Sequence, residues 1–140
     1  MKTLTVAVLL GAAVALPAQA QATTELFVTL NSGVPQTQGM ALVLVSQALE
    51  QKAAVHLLLC SEGGHLAIKG TETVALKPRG VTPENMLRGL IKAGARVEVC
   101  ALFLPNSDWK STDLLEGVTV AKPADVTAQL LRPNIRTLNF

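Results

Sequence analysis

The stretch that decides the fold is "TPENMLRGLIKAGARVEVCALFLPN", Thr82–Asn106. Its first half carries the marks of a helix. Thr82 is a good N-cap, Pro83 suits the first helical position, and Glu84 complements the helix dipole. Met86, Leu87, Leu90 and Ile91 fall on one face, and Gly94 is placed to end the helix. The second half changes period. Arg96–Leu104 reads as a strand with Val97, Val99 and Ala101 on one face and Arg96, Glu98, Cys100 and Leu102 on the other.

The same alternation extends outward. Glu25–Leu30, "ELFVTL", is a short strand ended by the turn-forming loop "NSGVPQTQG". Met40–Gln51 reads as a helix whose first half is apolar all round, which implies burial on more than one side, in the sheet core or in a subunit contact. Ala54–Cys60, "AVHLLLC", is a near-continuous apolar run, as expected of a strand covered on both faces, with His56 a core histidine whose hydrogen bonds are satisfied. "SEGGHLAIKG" follows, with adjacent glycines that allow sharp turns, and Thr71–Gly80 reads as an irregular excursion across the sheet's edge. Downstream come a loop with a short helical turn, a strand at Val118–Ala121, a helix at Pro123–Leu131 and a terminal strand at Ile135–Phe140. Strands alternating with helical crossovers specify an α/β fold: a mostly parallel, five-stranded sheet with helices on both faces. Ligand groups in such sheets gather outside the carboxyl ends of the strands. Cys60, Cys100 and the Asn31–Gly39 and Ser61–His65 loops all occupy that end.

The N-terminus bears on compartment. Lys2, an apolar run from Leu4 to Leu16, Pro17 and the small-residue pattern Ala18-Gln19-Ala20, repeated as Ala20-Gln21-Ala22, have the layout of a secretory signal peptide. Residues 1–22 are therefore expected to be removed, with cleavage after Ala20 or Ala22, and the apolar core is shorter than the roughly 20 residues of a membrane span. A bacterial periplasmic or secreted protein is expected, with a single domain over 23–140 and no membrane contact after cleavage. Without Lys2 the chain carries eleven basic and ten acidic residues, a net charge near +1. The basic residues are scattered, and with no Tyr, one Trp and three Phe they have few aromatic neighbours, which argues against a nucleic-acid surface.

Cys60 and Cys100 are the two cysteines of the chain, and three roles stand open for them: disulfide, packing residue or reactive thiol. If the first strand is central and the other two flank it, the cysteines lie two strand spacings apart, roughly 9–10 Å, beyond the roughly 7 Å limit for bridged Cα atoms. A soft-metal site from Cys60, His65 and Cys100 or Met40 is a weaker reading, because Cys60 and His65 lack a recognised paired-ligand spacing. "SEGGH" suggests a small anion-binding nest at a strand exit. Trp109, in a polar loop, reads as a lid or an oligomer contact. Nucleophile-elbow, P-loop and dinucleotide-binding signatures are absent, and no cofactor or resident metal is expected.

The order and spacing of these pieces resemble the DsrE/DsrF-like sulfur-relay family. The resemblance rests on "LFVTLNSG", "AVHLLLCSEGGHLA", the helix ending in Gly94, the strand with Cys100, Asp113-Leu114-Leu115-Glu116-Gly117-Val118, and the closing helix and strand. It implies a flavodoxin-like sheet and a homo-oligomer, a homotrimer or a homohexamer of two rings. It also implies that Cys100 is the catalytic thiol, receiving sulfur as a persulfide and passing it to a thiol-bearing partner protein. Cys60, His65, Gly63, Gly64 and Asn31 are the expected binding residues at the same end of the sheet. The rival reading is a non-enzymatic oligomeric binding or assembly module in which Cys100 only packs.

Overall fold

Residues 24–140 are described by the computed structural model; the expected signal peptide and its cleavage site lie outside them. Glu25–Leu30 forms strand β1, and Pro35–Glu50 forms helix α1. That helix begins five residues before the expected Met40. Val34 offers it no side-chain cap, and Pro35, read as a loop residue, occupies the first turn, where its missing N–H has no intrahelical partner to lose. Strand β2 is Ala54–Leu59, followed by a 3₁₀ turn over Ser61–Ala67. Helix α2, Pro83–Lys92, starts as expected: Thr82 Oγ1 accepts from the Asn85 N–H at 3.3 Å.

Strand β3, Arg96–Val99, is shorter than the expected Arg96–Leu104. The chain turns at Cys100, whose carbonyl accepts from the Phe103 N–H at 2.9 Å, and Phe103 packs into the core. The apolar run beyond Val99 therefore serves a packed turn instead of a ladder. Short 3₁₀ turns at Leu104–Asn106 and Ser111–Asp113 lead to strand β4, Val118–Val120. Helix α3, Pro123–Leu130, and strand β5, Ile135–Asn139, complete the order.

All five strands are parallel, in the order β4-β3-β2-β1-β5, giving a flavodoxin-like α/β sheet. The chain steps from β1 to β2 to β3 in one direction and returns from β4 to β5 in the other. Right-handed crossovers then put α1 and α2 on one face and α3 on the opposite one. The central strand is β2, not β1, so β2 and β3 are direct neighbours, with Leu59 paired to Val99. The Thr71–Gly80 excursion is irregular as expected, but Leu76 lies against Gly39 of α1 and not on an edge strand.

The two faces differ in chemistry. The first holds the main core, including Val28, Leu30, Leu42, Val45, Leu57, Leu59, Leu87 and Leu90. Helix α1 buries Ala41, Leu42 and Val45 there, while Met40 and Val43 stay about half exposed. The second face has a small apolar cluster of Phe27, Leu58 and Ala121 beside a buried polar chain. His56 Nδ1 is 2.6 Å from Gln129 Oε1, and His56 Nε2 is 2.8 Å from Glu98 Oε2. Glu98 Oε1 also accepts from Arg96 Nη2 at 3.0 Å and from Thr119 Oγ1 at 3.2 Å. His56 is thus a core histidine, satisfied at Nδ1 but not at Nε2, which faces Glu98 Oε2 without a hydrogen bond, and Gln129, the buried residue of α3, ties that helix to the sheet.

Candidate functional site

The site is assembled where β2 and β3 end together. The Cys60 N–H donates to the Leu30 carbonyl at 3.0 Å, and the Cys100 N–H donates to the Leu59 carbonyl at 2.9 Å. The ladder therefore carries both cysteines one step past the Leu59–Val99 pair. Both side chains contact the Phe27–Leu58–Ala121 cluster, so they share one face of the sheet. They are half-buried free thiols. One strand spacing, about 4.8 Å, separates such neighbours. The expected separation of two spacings is corrected, because it assumed β1 between them.

Each cysteine is followed by a tight turn. Ser61 adopts a left-handed φ of 50°, and the 3₁₀ turn after it folds back so that the Gly63 N–H donates to the Asn31 carbonyl at 3.1 Å. Gly63 and Gly64 are buried packing positions, the first against the β1 backbone and the second against the Phe103 ring. Asn31 is exposed, and its backbone joins this turn to the C-terminus by donating to the Phe140 carbonyl at 2.7 Å.

Between the two turns lies a pocket of about 340 Å³ lined by Ser61, Glu62, His65, Cys100, Leu102, Phe103, Asn106 and Ser107. His65 Nδ1 sits 3.2 Å from Glu62 Oε2. The His65 ring also meets Trp109 edge-on at 4.9 Å and Phe103 at 5.7 Å, and Trp109 stacks on Phe103 at 6.0 Å. Trp109, read as a lid or oligomer contact, packs on His65 and Phe103 and does not itself line the pocket. A second pocket, about 210 Å³, shares Glu62 and His65 with the first.

Of the expected site residues, the structure brings Cys100 and His65 to one pocket and Cys60 to the side of Cys100. Glu62, Phe103 and Asn106 were not anticipated. Glu62 stands three residues before His65 in "SEGGH", a spacing that pairs side chains on a helical turn. Among the described residues no group of three or more His, Cys, Asp or Glu is arranged to hold a metal ion, so Cys60, His65 and Cys100 do not form a three-ligand set.

The Cys60 thiol is pushed up to about 12, first by burial and then by the hydrogen bond and charge of the Cys100 side chain; the Cys100 backbone N–H partly offsets this. Cys60 therefore stays protonated, with Cys100 as its hydrogen-bond partner. The folded protein holds that proton more tightly than the unfolded chain does. Its stabilising contribution is complete below the ordinary thiol value of 9.0 and is lost as pH rises toward about 12. Urea melts over about pH 8 to 10.5 are expected to show stability falling more steeply in the reduced wild type than in Cys60→Ser. Equal slopes would remove the assignment.

No family model matches the sequence, and no curated protein matches it. Solved structures do. The YchN protein from E. coli superposes with a TM-score of 0.69 at 17% identity, over 85% of this chain and 100% of that one. The fold is that of YchN. A protein of unknown function from Methanobacterium thermoautotrophicum, MTH1491, is similar at a TM-score of 0.61 and 15% identity, again over 85% of this chain and all of its own. Among the described residues no helix is long and apolar enough to cross a membrane.

Proposed function

We propose that the protein is a member of the DsrE/DsrF-like sulfur-relay family and carries sulfane sulfur on Cys100. The observation that supports this most directly is the position of Cys100: a free thiol at the carboxyl end of a parallel strand, opening onto a pocket. The Cys100 thiolate attacks the outer sulfur of a donor persulfide, an S–S bond breaks, and the donor leaves as a thiolate. Cys100 then bears the outer sulfur as its own persulfide. A partner thiolate attacks that same sulfur and releases Cys100 unchanged. Phe103 and Leu102 supply apolar lining beside Cys100 in that pocket.

The proposed setting is the periplasm after signal-peptide removal, and the proposed assembly is a homotrimer or a hexamer of two such rings. The test loads purified protein with a small persulfide donor and reads intact mass and peptide maps. Wild type and Cys60→Ser are expected to gain one sulfur at Cys100, and Cys100→Ser to gain none, with native mass spectrometry showing the same oligomer for all three. An inert Cys100 in a correctly assembled wild type would leave the assembly module as the better reading.

A further inference from the structure

The register of the sheet places a second thiol beside the first, and single-cysteine sulfur transfer gives it no task. We propose that Cys60 and Cys100 form a dithiol–disulfide pair that closes reversibly by exchange with an external disulfide, Cys100 attacking and Cys60 resolving. This goes beyond sulfur carriage, since no persulfide takes part.

Three observations carry it. The residues follow directly on Leu59 and Val99, the last pair of the β2–β3 ladder, the Cys100 N–H still bonds the Leu59 carbonyl, and both side chains pack on one apolar cluster. A parallel-strand spacing of about 4.8 Å falls inside the roughly 4.4–6.8 Å range of Cα separations that a disulfide spans. Both residues stand one position past the last ladder pair and lead into turns, at Ser61 and at Ala101–Phe103, so they can approach without moving the strands behind them. Unadjusted parallel strands hold Cβ atoms slightly farther apart than a relaxed disulfide prefers, so closure works against the ladder. A bridge made this way is readily reduced, as suits exchange better than a permanent staple.

The division of labour follows from access. Cys100 lines the pocket and Cys60 does not. The Cys100 thiolate attacks one sulfur of the incoming disulfide; its S–S bond breaks and one thiolate leaves. Cys60 gives its proton to water and attacks Cys100 Sγ, expelling the second thiolate. The two electrons of the new bond's precursors reduce the external disulfide to two thiols. Before the first step Cys100 helps hold the proton on Cys60. Once Cys100 Sγ is in a mixed disulfide it carries no charge, so that part of the restraint is gone and the resolving attack becomes easier.

The test uses the full folded protein and glutathione disulfide, with no persulfide donor. Cys60 and Cys100 fall on separate tryptic peptides, 53–69 and 97–110. Wild type is expected to lose two hydrogens and to yield these peptides joined, the link disappearing with excess dithiol. Cys60→Ser and Cys60→Ala are expected to accumulate glutathione on Cys100 at least about tenfold above wild type. Wild type that stops at the same glutathione adduct overturns the proposal, as does wild type whose thiols both remain open to alkylation. A bridge in protein that cannot be sulfur-loaded would sink the carrier and keep the pair; sulfur loading without a bridge would do the reverse.

Discussion

Glu98→Ala is expected to lower the unfolding free energy by about 2 kcal/mol, within the roughly 1–3 kcal/mol that leaving buried polar groups without their partner costs. Glu98 is 5% exposed and His56 2%, so neither has water to turn to. The 2.8 Å contact between Nε2 and Oε2 lies outside hydrogen-bond angles, so these two buried polar atoms face each other with no other partner. Removing the carboxylate takes away the polar group facing His56 Nε2 and the acceptor of Arg96 and Thr119. His56 keeps Gln129 through Nδ1, and for that reason the loss is placed below the top of that range. Because the partners share one network, His56→Ala combined with Glu98→Ala is expected to cost at least about 1 kcal/mol less than the sum of the two single losses. Urea unfolding of the four proteins reads this cycle. A Glu98→Ala protein within about 0.5 kcal/mol of wild type would mean that the network contributes nothing net.

The polar chain also shows what local sequence can convey. A histidine within "AVHLLLC" signals a core group, yet nothing nearby names its partners. Glu98 and Gln129 reach it only through the neighbouring of β2 and β3 and the return of α3 on the far face. Strand β1 and helix α2 were legible because each carries its own signals: a β-rich run closed by turn formers, and the Thr82-Pro83-Glu84 start. The early turn of α1 was not, since Pro35 serves a loop and a helix start equally well and Val34 gives no capping signal. The end of β3 was hidden by "ALFL", whose apolar character fits a strand and a buried turn alike.

The site was legible in position and illegible in geometry. Cys60, His65 and Cys100 could be placed at the carboxyl end of the sheet from strand endings alone. Their mutual distance depended on strand order, and periodicity within a segment carries no information on which strand lies beside which. Placing β1 in the centre put the thiols two spacings apart; with β2 in the centre they are adjacent. The His65–Trp109–Phe103 cluster joins residues from two loops through non-local packing, which no spacing in either loop reports.

Gly63→Ala is expected to cost about 3 kcal/mol and to displace the turn after Cys60, because the added carbon meets backbone and not side chain. A Cβ at Gly63 would overlap the Leu30 carbonyl oxygen and come within 2.8 Å of the carbonyl carbon and 3.3 Å of the Asn31 nitrogen. That carbonyl already accepts the Cys60 N–H, and the Asn31 carbonyl accepts the Gly63 N–H. The turn can make room only by giving up the bonds that fix Cys60 beside Cys100. Overpacking in a rigid setting costs about 1–3 kcal/mol or somewhat more, and a backbone obstacle places this change at the top of that range. Gly64→Ala supplies the control. Its Cβ would lie 2.5 Å from Phe103 Cδ2, a side chain and not backbone, so a smaller loss of stability is expected together with a change in Trp109 fluorescence as the ring shifts. The two variants therefore separate what the glycines do: Gly63 sets the spacing of the thiols, and Gly64 sets the wall of the pocket. If Gly63→Ala melted with wild type and left the reactivity of Cys60 unchanged, the turn would be free to move, and the register at the end of β2 could not be what holds the two sulfurs together.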